Sequence, residues 1–169
     1  MDNCNRMFNK SFDDLSFIKN LSTIKEKYIF VFDFDLTLTS KSSDGINKKI
    51  SNYIDLFDSE NKLDKLKYFF NKITENGHLI YINTRALISD VLHILKNVDI
   101  SVGTNMLIKE IKGSNSIETI NNPLTKADIN KFNLSKINDN KILWGIKKVI
   151  YLNEIKECEN IPMSNIFFF

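Results

Sequence analysis

Two aspartates, Asp33 and Asp35, stand one residue apart at the end of the run Tyr28-Ile-Phe-Val-Phe-Asp-Phe-Asp-Leu-Thr-Leu-Thr39, with Thr37 next in the same alternation. Two carboxylates so placed can divide the work of a phosphoryl transfer. One attacks phosphorus, provided a cation neutralises both it and the phosphate. The other gives a proton to the leaving oxygen and then takes one from water. A bare D-x-D triplet is common. This D-x-D-x-T follows a short apolar run, aromatic and β-branched, that reads as a buried strand rather than a helix. The C-terminal edge of such strands is where open α/β sheets bind ligands. The plainer reading is an acidic turn after an edge strand, with Asp35 and Thr37 as local caps.

The rest of the chain must supply the elements that hold these carboxylates. Leu15, Ile18, Leu21 and Ile24 recur at three-residue steps and predict a helix over 11–26, leading into the first strand. A polar loop, Ser40–Gly45, follows the D-x-D-x-T. Ile46, Ile50, Ile54 and Phe57 predict a helix over 46–58, and Leu63, Leu66, Phe69, Phe70 and Ile73 another over 62–75, stopped by Asn76-Gly77. His78–Thr84 reads as a second strand, 86–96 as its helix and Ile100–Val102 as a third strand. Residues 104–143 are rich in Asn, Lys and Ser and carry no clear period. A helix over 146–159 and a strand at Ile166–Phe169 close the chain. Strand–helix alternation predicts the α/β class, a parallel sheet with helices on both faces.

The D-x-D-x-T pattern resembles the first motif of the haloacid dehalogenase-like superfamily of phosphatases and phosphotransferases. The resemblance spans roughly 28–169, and its motifs occupy three short patches. It implies a Rossmann-like sheet, with Asp33 as the nucleophile that carries an aspartyl-phosphate and Asp35 as general acid and then base. Many members have Gly after the second Asp, where this chain has Leu36. The second motif, a Thr or Ser ending the second strand, matches Thr84 in Leu-Ile-Tyr-Ile-Asn-Thr-Arg, whose hydroxyl would bind a phosphoryl oxygen. Asn83 is the alternative contact if the strand ends a residue sooner. Thr84 reads equally well as the N-cap of the next helix, and both roles can hold at once. Arg85 reads as solvated, or within reach of a substrate anion. The third motif, a Lys opening the helix before the fourth strand, offers Lys147 and Lys148. The spacing from Lys148 to Leu152, Ile161-Pro162 and the final strand favours Lys148.

The same resemblance implies Mg²⁺, held by the Asp33 carboxylate and the Asp35 backbone carbonyl and completed by acidic residues just after the fourth strand. The sequence ends at Phe169, where those residues would begin. The domain over 28–169, after a helical lead-in over 1–27, is therefore expected to be C-terminally incomplete, weak in Mg²⁺ binding and turnover. The fourth strand is expected beside the first, covered on both faces, with an apolar outer edge that favours self-association.

Composition narrows the partners. At 169 residues the chain is one domain by length. Its formal charge of +2 gives no strong case for nucleic acid or an anionic membrane as main partner. No apolar run approaches membrane-spanning length. Cys4 and Cys158 match no metal spacing, and the start lacks an apolar signal core, so a reducing, cytoplasmic setting is expected. His78 and His93 read as structural, Trp144 and the phenylalanines as core, and Lys41 as solvated. The stretch between the first two motifs holds two helices but no large cap, so an open site for a phosphorylated small molecule or macromolecule is expected. The expected activity is a Mg²⁺-dependent phosphatase. The alternatives are a non-catalytic binding or scaffold domain of the same fold, and a phosphotransferase to an acceptor other than water.

Overall fold

Strand β1, Ile29–Phe32, is buried at all four positions, as an apolar run covered on both faces should be. The computed structural model describes residues 23, 25–42 and 52–169. β1 pairs in parallel with β2 (Leu79–Leu87) and with β4 (Ile166–Phe168), and β2 pairs in parallel with β3 (Glu110–Ser114). The order is β3-β2-β1-β4. The protein is thus an α/β fold, a Rossmann-like parallel sheet flanked by helices, and the last strand lies beside the first as expected.

Side-chain alternation along the strands assigns the two layers. Phe30, Phe32, Ile80 and Ile82 face α1 (Glu60–Glu75) and α2 (Ile88–Asn97) and join Leu66, Phe70, Ile73, Val91 and Leu95 in the main core. Ile29, Val31 and Tyr81 face the other way, onto Ile155 of α5 (Asn140–Glu159). α1 matches its predicted span closely because Ser59 caps it and its buried positions keep helical period. Asn76 ends it, and Gly77 takes φ +78, which a glycine adopts without the Cβ clash.

Several expectations are corrected. The predicted lead-in helix over 11–26 lies almost wholly outside the described residues, and 25–28 are not helical. Of the predicted helix over 46–58, residues 46–51 lie outside the described residues. The rest, Tyr53–Phe57, is a 3-10 turn: the Asn52 side chain accepts from the Ile54 N–H at its start, and Asp58 leaves helical space at φ 74. Ile100–Val102 is not the third strand. Ile100 is buried in the core, and Val102 makes only an isolated bridge to Ile108. The third strand is β3, within the stretch that had no period. Its sequence Glu-Ile-Lys-Gly-Ser lacks an apolar run because it lies at the edge of the sheet. The same stretch holds two short helices, α3 (Ile117–Asn121) and α4 (Lys126–Lys131), too brief to show a period and started by side-chain caps from Ser116 and Thr125. α5 begins at Asn140, six residues before the predicted start, because the Asp139 side chain caps it there, accepting from Lys141 N at 2.8 Å. Finally, β4 is not covered on both faces. Phe169 stacks on Phe32 at 5.1 Å, yet Phe167 and Phe168 stay 43% and 44% exposed.

Candidate functional site at the C-terminal edge of the sheet

The alternation that turns Ile29 and Val31 toward α5 carries on to Asp33. Its backbone is still extended (φ −69, ψ 153), and its N–H donates to Phe169 O at 3.0 Å, so the ladder with the last strand continues through it. Its carboxylate therefore emerges on the α5 side. There the Lys148 ammonium donates to Asp33 Oδ2 at 2.5 Å, while Asp33 Oδ1 accepts from Phe34 N at 2.9 Å. The pair is accessible, with Lys148 20% and Asp33 29% exposed. The Lys148 ammonium also lies 5.7 Å from the centre of the Phe168 ring, a cation–π distance. The apolar neighbour excludes water from one side of the ion pair.

Lys147 goes elsewhere. Its ammonium lies 3.5 Å from Asp128 Oδ2 and 4.8 Å from the Tyr151 ring centre. Burial raises the Asp128 pKa, but hydrogen bonds from Thr125 and the nearby Lys147 ammonium outweigh it and hold the carboxyl below the usual carboxylate range. Of the two candidate lysines, Lys148 is thus the one brought to Asp33. It does not open its helix, however. α5 starts at Asn140, so Lys148 sits more than two turns in; Trp144, one turn before it, is buried and donates to Ile120 O at 2.9 Å.

After Asp33 the chain makes one wide turn, Phe34–Leu38. Phe34 is buried and anchors it to the main core. Asp35 is still extended (φ −68, ψ 130) and half-buried. Leu36 then takes φ +60, the left-handed region that costs an L side chain about 1–2 kcal/mol. Its side chain is 70% exposed, so burial recovers little of that cost. A glycine at this position would adopt the same backbone without the Cβ clash. Thr39, rather than Thr37, closes the turn: its Oγ1 donates to Lys41 O at 2.7 Å and accepts from Leu36 N at 3.3 Å, and its N–H donates to Phe34 O at 3.1 Å. The signal for Thr39 was present in the sequence as the last hydroxyl residue of the run.

The second strand brings Thr84 and Asn83 to the same edge. β1 and β2 are in register at Phe32 and Ile82, so Asp33 and Asn83 are the next residues of their strands. Thr84 is fully buried, and its Oγ1 accepts from Ala86 N at 3.1 Å. That bond belongs to an irregular stretch of β2 between Asn83 and Leu87, where the register to β3 shifts. Thr84 does not cap the next helix; Leu87 is the N-cap residue of α2, without a side-chain cap bond. β3 comes close here at Gly113, where an added Cβ would meet Ala86 O at 3.0 Å. Asn83 is also fully buried, and its Nδ2 donates to the Lys148 backbone carbonyl at 3.0 Å. Arg85 is exposed, with its carbonyl accepting from Ser114 Oγ at 2.9 Å. The histidines lie off the site: His78 Nδ1 accepts from Tyr28 N, and His93 Nε2 is 2.7 Å from the Tyr53 hydroxyl.

At the opposite edge of the sheet, Glu159 gathers Tyr81 Oη at 2.6 Å, Lys27 Nζ at 3.2 Å and the Lys109 ammonium. Burial raises its pKa, but hydrogen bonds from Lys109, Tyr81 and Lys27 outweigh it and bring it to about 2. Burial and the hydrogen bond to Glu159 push the Tyr81 pKa up. This cluster pins one end of the interface between α5 and the sheet, and Lys148 pins the other.

No group of three or more His, Cys, Asp or Glu side chains gathers among the described residues. The oxygen donors at the Asp33–Lys148 pair are those of the Asp33 carboxylate. Each Asp33 oxygen already holds one hydrogen bond and keeps a lone pair. Mg²⁺ is commonly held by one or two carboxylates, with water and phosphate oxygens completing its shell, and the Asp33 carboxylate offers oxygens of that kind. No helix among the described residues is long and apolar enough to cross a membrane. Comparison with protein-family models, with curated proteins and with solved structures found no match.

Proposed function

We propose that this protein is a phosphomonoester hydrolase of the haloacid dehalogenase type, with Asp33 as nucleophile. The observation that supports this most directly is the Lys148 ammonium on Asp33 Oδ2, at the C-terminal edge of a parallel sheet. A carboxylate attacking a phosphate must overcome like-charge repulsion. A fixed ammonium against it lowers that repulsion before substrate arrives. The Phe34 N–H holds the other oxygen, so the carboxylate is already oriented.

In the first step an Asp33 oxygen bonds to phosphorus and the bond to the leaving oxygen breaks, while Asp35 supplies that oxygen with a proton. In the second, the Asp35 carboxylate takes a proton from water as the water oxygen bonds to phosphorus. The Asp33–phosphorus bond breaks, and phosphate leaves. Thr84 would bind a phosphoryl oxygen by turning its hydroxyl, now an acceptor, to donate. Bound Mg²⁺, held by Asp33 and Asp35, would neutralise charge on the phosphoryl oxygens. Substrate is a phosphomonoester presented at an open sheet edge. The exposed free thiol of Cys158 suits a reducing cytoplasm.

The test is hydrolysis of p-nitrophenyl phosphate with and without Mg²⁺. Slow, Mg²⁺-dependent turnover is expected, abolished in Asp33→Asn with the circular dichroism spectrum retained. Equal turnover in wild type and Asp33→Asn would overturn the reading.

A further inference from the structure

We propose that Asn83 is a positioning residue for Lys148 rather than a contact for phosphate. The inference rests on the phosphatase reading for its kinetic part only. Three connections form a closed loop at the sheet edge. β1 and β2 are joined by their ladder up to Phe32 and Ile82, one residue before Asp33 and Asn83. Asp33 is joined to α5 through the Lys148 ammonium at 2.5 Å. α5 is joined back to β2 through Asn83 Nδ2 on the Lys148 carbonyl at 3.0 Å. Both bonds to α5 fall on the same residue, one at its side chain and one at its backbone.

The chemistry of the amide sets its direction. A helix carbonyl can only accept, so the amide nitrogen must face it and the oxygen must point away. That oxygen, Asn83 Oδ1, is buried with no hydrogen-bond partner among the described residues. Leaving an acceptor buried and unpaired is costly, so the residue is kept for its donor half. A phosphate dianion needs donors, but the one donation from Asn83 that the structure shows goes to the helix carbonyl. Its amide instead fixes the height and rotation of α5 at the residue whose ammonium must reach Asp33. A helix shifted by one residue turns by about 100°, which would carry the ammonium off the carboxylate. The Glu159 cluster holds the far end of the same helix but is eleven residues away along it, so it cannot set this rotation alone.

The test uses Asn83→Leu, which keeps the side-chain size and removes both the donor and the unpaired oxygen. In protein labelled with ¹³C at lysine Cε, the Lys148 resonance, assigned by its loss in Lys148→Met, should move toward the position of exposed lysines in Asn83→Leu. The Lys147 resonance should hold its place, because its partner Asp128 is untouched. In turnover, Asn83→Leu should cost about tenfold in kcat with KM within twofold, and in a Lys148→Met background it should cost no more than twofold. An unmoved Lys148 resonance, or kinetic losses that multiply in the double variant, would overturn the proposal. The resonance decides it even if the chain turns over no phosphomonoester, so failure of the phosphatase reading stays distinguishable.

Discussion

The Lys148 ammonium meets the Asp33 carboxylate at 2.5 Å although 115 positions separate the two residues in sequence. No local interaction brings them together. β1 delivers one and α5 the other, and the meeting point is the edge where a parallel sheet leaves its strand ends open.

Lys148→Met should therefore lower phosphatase turnover by about 10²–10³-fold, the usual loss when one fixed charge-stabilising donor is removed. Lys147→Met should cost less than about tenfold, because its ammonium serves Asp128 and the Tyr151 ring. Steady-state kinetics on the two variants checks the split. Equal losses would mean that the ion pair with Asp33 has no catalytic weight.

Asp35→Asn should lower turnover by about 10²–10⁴-fold if its carboxyl is the acid and base. The loss should be smallest for p-nitrophenyl phosphate, whose leaving oxygen needs little protonation, and larger for an alkyl phosphate. A loss that is the same across leaving groups would remove Asp35 from that role.

Leu36→Gly should stabilise the fold. It relieves a left-handed residue worth about 1–2 kcal/mol and adds back about 0.5–1 kcal/mol of glycine entropy. Little buried area is lost, since Leu36 is 70% exposed. A rise in Tm of a degree or two is expected for a domain of this size. Leu36→Val should lower Tm, because a β-branched residue tolerates φ +60 less well. Thermal melts followed by circular dichroism give both signs.

Acid should loosen α5 from the sheet through Glu159. Its pKa falls from the ordinary 4.5 to about 2 in the folded protein, so the unfolded chain binds its proton first as pH drops. The stabilisation is fully present above about pH 4.5 and is lost as pH falls toward about 2. Glu159→Gln should be less stable than wild type at pH 6, and the gap should narrow by pH 3. Urea unfolding at the two pH values measures it. A gap that widens in acid would contradict the sign.

What was legible in the sequence is whatever a segment settles by itself. Tyr28–Thr39 carries a strand covered on both faces and then two carboxylates, so β1 and the place of Asp33 could be read directly. α1 could be read because five buried positions share one helical face and Ser59 caps it. β2 and β4 announced themselves as apolar runs. β3 could not be read. Glu110–Ser114 is an edge strand with a lysine and a glycine in it, and it is a strand only because β2 pairs with it.

The choice between Lys147 and Lys148 shows most clearly what tertiary structure alone decided. Neighbours on a helix point about 100° apart, and on α5 both of these directions meet the body of the protein. Sequence spacing could favour Lys148 but could not say what would hold Lys147. That was settled by Asp128, from a stretch without periodicity, whose short helix places a carboxylate where the Lys147 ammonium reaches it. The part of Asn83 was hidden for the same reason. Its partner is a backbone carbonyl on a helix 65 positions away, and a carbonyl is carried by every residue and marks none.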